Sequence, residues 1–117
     1  AERERLRHGH AEITAVADIV IDMLRRALDA FARLEDADAL AIQRRDEVVD
    51  DHFHAILRQL LTYMIEDPRT ISPAIELVFV AKSLERIGDH AKNISEYVVY
   101  VTRGHDVRHV SHDEMAR

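Results

Sequence analysis

The 117-residue chain contains no cysteine and no tryptophan, only three glycines and two prolines, and aromatic residues make up 5% of it. The missing cysteines exclude disulfides, thiolate metal sites and cysteine nucleophiles, and suit a cytosolic setting. No apolar run approaches the roughly 18 residues of a membrane span, and no signal-peptide pattern is present, so contact with a membrane is expected only through partners. A basic stripe is also missing. With a net charge of −6 and a pI near 5.7, no nucleic-acid partner is expected. Strand alternation, repeats of 20–50 residues and low-complexity segments are absent. So are a glycine-rich phosphate loop, a Ser/His/Asp arrangement, His-Glu-x-x-His and the Glu-x-x-His of di-iron bundles.

What is present is a helical pattern. Apolar residues are 47% of the chain and charged residues of both signs 32%, as on the outer faces of long helices. The length predicts one domain with a sizeable core. The chain opens at Ala1, inside a charged helical pattern rather than at a methionine, as expected of a piece cut from something longer.

Leu6, Ile13, Val16, Val20, Met23, Leu24, Ala27, Phe31 and Leu34 recur at threes and fours, predicting a first helix over about 2–34. Asp18 and Asp22, four apart, are read as part of its solvated flank. A short break follows, with Asp36 or Asp38 as the N-cap of a second helix over about 37–66. That helix is built on Ala39, Ile42, Val49, Phe53, Ile56, Leu57, Leu60, Leu61 and Met64. Asp67-Pro68 ends it. Ser72-Pro73 is expected to start the third helix, with Ser72 as N-cap, Pro73 in the first position and Glu76 in the first turn. This helix runs to about 103, and Gly104 is the stop. Residues 105–117 form a polar tail, whose His105, His109 and His112 are read as solvated rather than as ligands. Short connections make neighbours antiparallel, and about 30 residues span about 45 Å. The expected fold is all-α: an elongated antiparallel three-helix bundle over 1–104, of spectrin-repeat-like proportions.

One stretch breaks the usual pattern of a core helix. In Leu84-Glu85-Arg86-Ile87-Gly88-Asp89-His90-Ala91-Lys92-Asn93-Ile94, a helix stacks Glu85, Asp89 and Asn93 in one row beside the apolar row of Leu84, Gly88, Ala91, Ile94 and Val98. Gly88 in mid-helix costs about 1 kcal/mol relative to alanine and suggests a close approach by a neighbour. On the second helix, Asp46 stands where an apolar residue belongs, with Asp50 one turn on. Counting from the break at Asp67–Ser72, Asp50 falls level with Asp89, Asp46 with Asn93, and His54 with Glu85. Asp46, Asp50, Glu85 and Asp89 are thus expected to form one oxygen-rich belt. Lys82, Arg86 and Lys92 can offset the acids on the third helix, whereas the second has only His54. A hard cation would settle such a belt, as would a purely structural ion network.

The run from Leu84 through Asn93-Ile94-x-Glu96, preceded by Arg45-Asp46-x-x-Val49-Asp50, resembles the PhoU family of bacterial phosphate-uptake regulators, whose three-helix bundles each carry a pair of Glu/Asp-x-x-x-Asp motifs. The likeness covers helix 1 to Gly104 and is most specific over Glu85–Glu96. It implies that Asp46, Asp50, Glu85 and Asp89 are metal ligands with Asn93 as a neighbour; the ion expected there is iron, manganese, magnesium or zinc, with His54 and Arg86 also beside the belt. It also implies a non-enzymatic cytoplasmic regulator that links the ATPase subunit of a phosphate ABC transporter to a sensor histidine kinase and keeps the phosphate-starvation response off. Family members usually carry two such bundles; this chain has one and looks most like the C-terminal repeat. A single repeat also occurs appended to sodium–phosphate cotransporters. A catalytic metal-carboxylate bundle and a metal-free interaction module are the other readings, and a bundle without its sister repeat can pair with itself as a homodimer.

Overall fold

The computed structural model describes residues 2–104, and three long helices and one 3₁₀ turn account for these described residues. Helix α1 spans Glu2–Arg33, α2 Ala39–Glu66 and α3 Ile71–Thr102, with the 3₁₀ turn at Pro68–Thr70. They make an elongated body of 58 × 26 × 17 Å, longer than the roughly 48 Å of a single 32-residue helix at about 1.5 Å per residue. The polar segment 105–117, with His105, His109 and His112, lies outside the described residues. No helix among those described is long and apolar enough to cross a membrane.

The core is one thin seam. Ile13, Val16, Val20, Met23 and Ala27 of α1 meet Ile42, Val49, Phe53, Ile56 and Leu60 of α2, and α3 closes the seam with small residues, Ala74, Ala81 and Ala91. Small side chains on α3 let its backbone sit close to the other two helices. Three positions expected inside stand outside: Phe31 and Leu34 are more than half exposed and Leu61 is 46% exposed, and Ala30 takes the buried place near the end of α1. The stripe drifts because the helices pack at a period nearer 3.5 than 3.6.

Helix ends differ from expectation in instructive ways. Helix α1 stops without glycine: Leu34 takes a left-handed φ of 53°. There its N–H donates to the Phe31 carbonyl at 3.3 Å, while the Glu35 N–H donates to that of Ala30 at 3.1 Å. That pair of bonds is a Schellman ending. Asp38 is the N-cap of α2, yet its side chain caps no backbone N–H; it turns to Arg26 at 3.8 Å. Asp36 instead accepts from Arg103 Nε at 2.9 Å, tying the α1–α2 loop to the end of α3.

Helix α3 begins at Ile71 with Thr70 as N-cap, two residues before the expected start. Pro73 is accommodated because the first four N–H groups of a helix need no intrahelical partner. Thr70 is fully buried; its hydroxyl lies 2.7 Å from the Asp67 carbonyl and 3.0 Å from that of Tyr63. This anchors the connection, so the helix starts there and Ser72 falls inside the first turn. At the far end α3 closes on Arg103, whose N–H donates to Val99 O at 3.1 Å. No described glycine has a positive φ, so Gly104 provides no left-handed stop.

Candidate functional site

Antiparallel packing of α2 and α3 brings Asp46 against the turn from Gly88 to Lys92. A Cβ added at Gly88 would lie 3.7 Å from Asp46 Oδ1, 3.7 Å from a Val20 methyl and 3.8 Å from a Val49 methyl. These are ordinary contacts, so Gly88 makes room for the Asp46 carboxylate but an alanine would also fit. The count from the break sets Asp46 level with Asn93; it packs instead over Gly88 and pairs with Lys92.

The four belt carboxylates are not equivalent. Asp46 and Glu85 have side chains only 16% and 12% exposed, whereas Asp50 and Asp89 are exposed. Burial pushes the Asp46 carboxyl up from its usual value. The Lys92 ammonium pulls it back, and the Asp89 and Asp50 charges push it further up, so both lie within electrostatic reach of Asp46.

Two lysines of α3 serve the buried acids. Lys82 Nζ donates to Glu85 Oε1 at 2.7 Å and sits 5.2 Å from the centre of the Phe53 ring. Lys92 Nζ lies 3.7 Å from Asp46 Oδ2, an ion pair too long for a hydrogen bond. Asp46 therefore has a counter-ion, supplied across the interface by α3, where counting along α2 alone offered none. His54 Nε2 stands 3.8 Å from Asp50 Oδ2, while Arg86 and Asn93 are exposed. Among the described residues no three His, Asp or Glu side chains converge as they stand on a point that could hold an ion. The donor set of four carboxylates is nonetheless the chemistry a hard cation takes.

Asp22 belongs to a different cluster. It accepts from Arg26 Nε at 2.9 Å and pairs with Arg45 Nε at 3.2 Å, bridging α1 to α2, while Asp18 is exposed. His90 is exposed too, so neither His54 nor His90 is held as a general base in a closed pocket.

The chain matches the model of the PhoU domain over residues 13–98. It is 49% identical over 102 residues to the phosphate-specific transport system accessory protein PhoU homolog of Pseudomonas putida, covering 87% of this chain and 40% of that one. Against the phosphate-specific transport system accessory protein PhoU of Escherichia coli K12 it is 48% identical over 95 residues, 81% of this chain and 39% of that protein. The crystal structure of PhoU from Pseudomonas aeruginosa superimposes with a TM-score of 0.79 at 46% identity, over 82% of this chain and 46% of that one. The chain thus spans about 40% of the length of the curated relatives named here.

Proposed function

Because the chain belongs to the PhoU domain family, we propose that it regulates phosphate uptake and the phosphate-starvation response as a cytoplasmic adaptor rather than an enzyme. Its partners on this reading are the ATPase subunit of a phosphate ABC transporter and a sensor histidine kinase. The observation that carries the reading is identity of 48–49% over most of the chain with proteins named as phosphate-specific transport accessory proteins. The exposed positions of His54 and His90 support an adaptor over a catalyst.

The belt gives the adaptor a way to hold its shape. Asp46, Asp50, Glu85 and Asp89 would bind iron, manganese, magnesium or zinc, and the cation would cross-link α2 to α3. Lys82 and Lys92 would give up Glu85 and Asp46 as it enters. A second reading has support of its own: with Lys82 on Glu85 at 2.7 Å and Lys92 at 3.7 Å from Asp46, the two lysines would be the permanent counter-ions of a metal-free interaction module.

Elemental analysis of protein purified without chelator or affinity tag, beside the Asp46→Ala/Asp50→Ala variant, separates the two. Metal at one or more equivalents in the wild type and none in the variant is expected. No metal in either, after incubation with all four ions, leaves the lysine-paired module. Affinity for the ATPase subunit and for the kinase should fall in the variant while helicity is kept; unchanged affinity would make the metal incidental to the adaptor.

A further inference from the structure

The two least exposed carboxylates of the belt are the two that hold a lysine. Glu85 accepts from Lys82 Nζ at 2.7 Å, and Asp46 has Lys92 Nζ at 3.7 Å. Asp50 and Asp89 are open to solvent, and among the described residues no lysine pairs with either; only His54 stands 3.8 Å from Asp50. Two buried acids turned to lysines and two exposed acids left to water give an arrangement in which no three acids among the described residues converge on a point.

The two lysines are not equivalent. Lys82 and Glu85 lie three apart on α3, so their pair forms within one turn of a single helix. Its 2.7 Å separation is that of a charge-assisted hydrogen bond. The same ammonium stands 5.2 Å from the centre of the Phe53 ring of α2, within reach of the negative face of the ring. Phe53 belongs to the core. Lys82 is thus held from two sides, by an acid of its own helix and by an aromatic ring of the next. Lys92 meets Asp46 across the α2/α3 seam, at a distance too long for a hydrogen bond.

We propose that Lys82 sets the affinity of the belt: it is an internal cation that holds Glu85 out of the converged arrangement and must be displaced before the four carboxylates close on a divalent ion. This rests on the reading of the belt as a metal site and adds what fixes its threshold. The two ammoniums together carry the charge of one divalent cation. Their exchange for that cation leaves the net charge of the belt unchanged, so loading is a competition between cations rather than the neutralisation of bare acids. An ammonium tethered beside its carboxylate competes at a high effective concentration. The wild type therefore loads only above an ion concentration that its lysines set. Lys82, with the shorter bond and the ring beneath it, sets more of that threshold than Lys92.

Isothermal titration calorimetry of the 117-residue chain with Mn²⁺ at pH 7 tests this. Methionine keeps an unbranched stem over Phe53 and removes the charge. Lys82→Met should lower the dissociation constant for Mn²⁺ about fivefold, in keeping with the loss of one partly exposed ion pair. Lys92→Met should lower it by less, and circular dichroism should show an intact bundle in both. Lys82→Arg keeps a cation over the ring and should stay close to wild type. So should Arg58→Met, which removes a positive charge from an exposed position of α2. Equal affinity in wild type and Lys82→Met overturns the role of Lys82 while leaving the belt a metal site. A larger gain in Lys92→Met, or an equal one in Arg58→Met, overturns it as well. No binding in any of these proteins, Lys82→Met included, overturns the metal reading itself and this proposal with it.

Discussion

Asp46 carries the sharpest conflict among the described residues, a carboxylate set into an apolar seam over Gly88. Burial, then the charges of Asp89 and Asp50, push its carboxyl above the ordinary 3.8, and Lys92 recovers only part of this. The sign for stability follows. The folded chain holds this proton at a pH where the unfolded chain has lost it, so the contribution to stability declines as pH rises from 3.8 through the raised value and stays lost above it. An amide of the same shape has no such proton. Asp46→Asn, kept in chelator so that no metal intervenes, should therefore show a flatter pH dependence in urea titrations and be at least as stable as wild type at pH 7. If the variant is the less stable at pH 7, the Lys92 pair outweighs the burial cost and the residue serves stability. A carboxylate that weakens its own fold at neutral pH is one retained for another reason.

At the scale of elements, the ends of helices reveal what one-dimensional pattern can and cannot carry. Leu34 sits at the left-handed position of a Schellman ending where glycine is usual. A left-handed conformation costs a non-glycine residue roughly 1–2 kcal/mol. Leu34→Gly should stabilise the bundle by about 1 kcal/mol, read as a rise in Tm of several degrees. A fall in Tm would mean that the contacts of the Leu34 side chain are worth more than the strain. The lengths of the helices and their breaks were legible because apolar spacing and Asp67-Pro68 are local signals. The start of α3 was not, since Thr70 is chosen by its burial and its bonds to the Asp67 and Tyr63 carbonyls, and Ser72-Pro73 is the stronger signal in the sequence alone. The belt was half legible. Counting residues from the break sets Asp46 level with Asn93, beside Lys92, but the contact with Gly88 and the pairing of Lys92 with Asp46 cross helices and have no counterpart in the spacing along either one.

For the whole molecule, the controlling fact is the thinness of the body, 17 Å in its shortest dimension. A single seam of side chains holds all three helices, so a defect in it is shared by all of them. Leu60 of α2 is fully buried, and on α1 Gly9 lies where an added Cβ would come within 3.4 Å of Leu60 Cδ2 and 3.5 Å of Leu77 Cδ1. One point thus joins α1, α2 and α3. Leu60→Ala should cost about 2–5 kcal/mol, the usual range for such a truncation in a core that cannot collapse around the gap. Gly9→Ala alone should be mildly stabilising, because its methyl meets Leu60 and Leu77 at ordinary contact distance while the helix gains propensity. In the Leu60→Ala background the same methyl faces a void and fills part of it. Gly9→Ala should then recover more stability than it adds to the wild type, a favourable coupling of about 0.5 kcal/mol or more in a double-mutant cycle of urea midpoints. Strict additivity would show that α1 does not share that void, and that the three helices meet less closely at this end than the single seam requires.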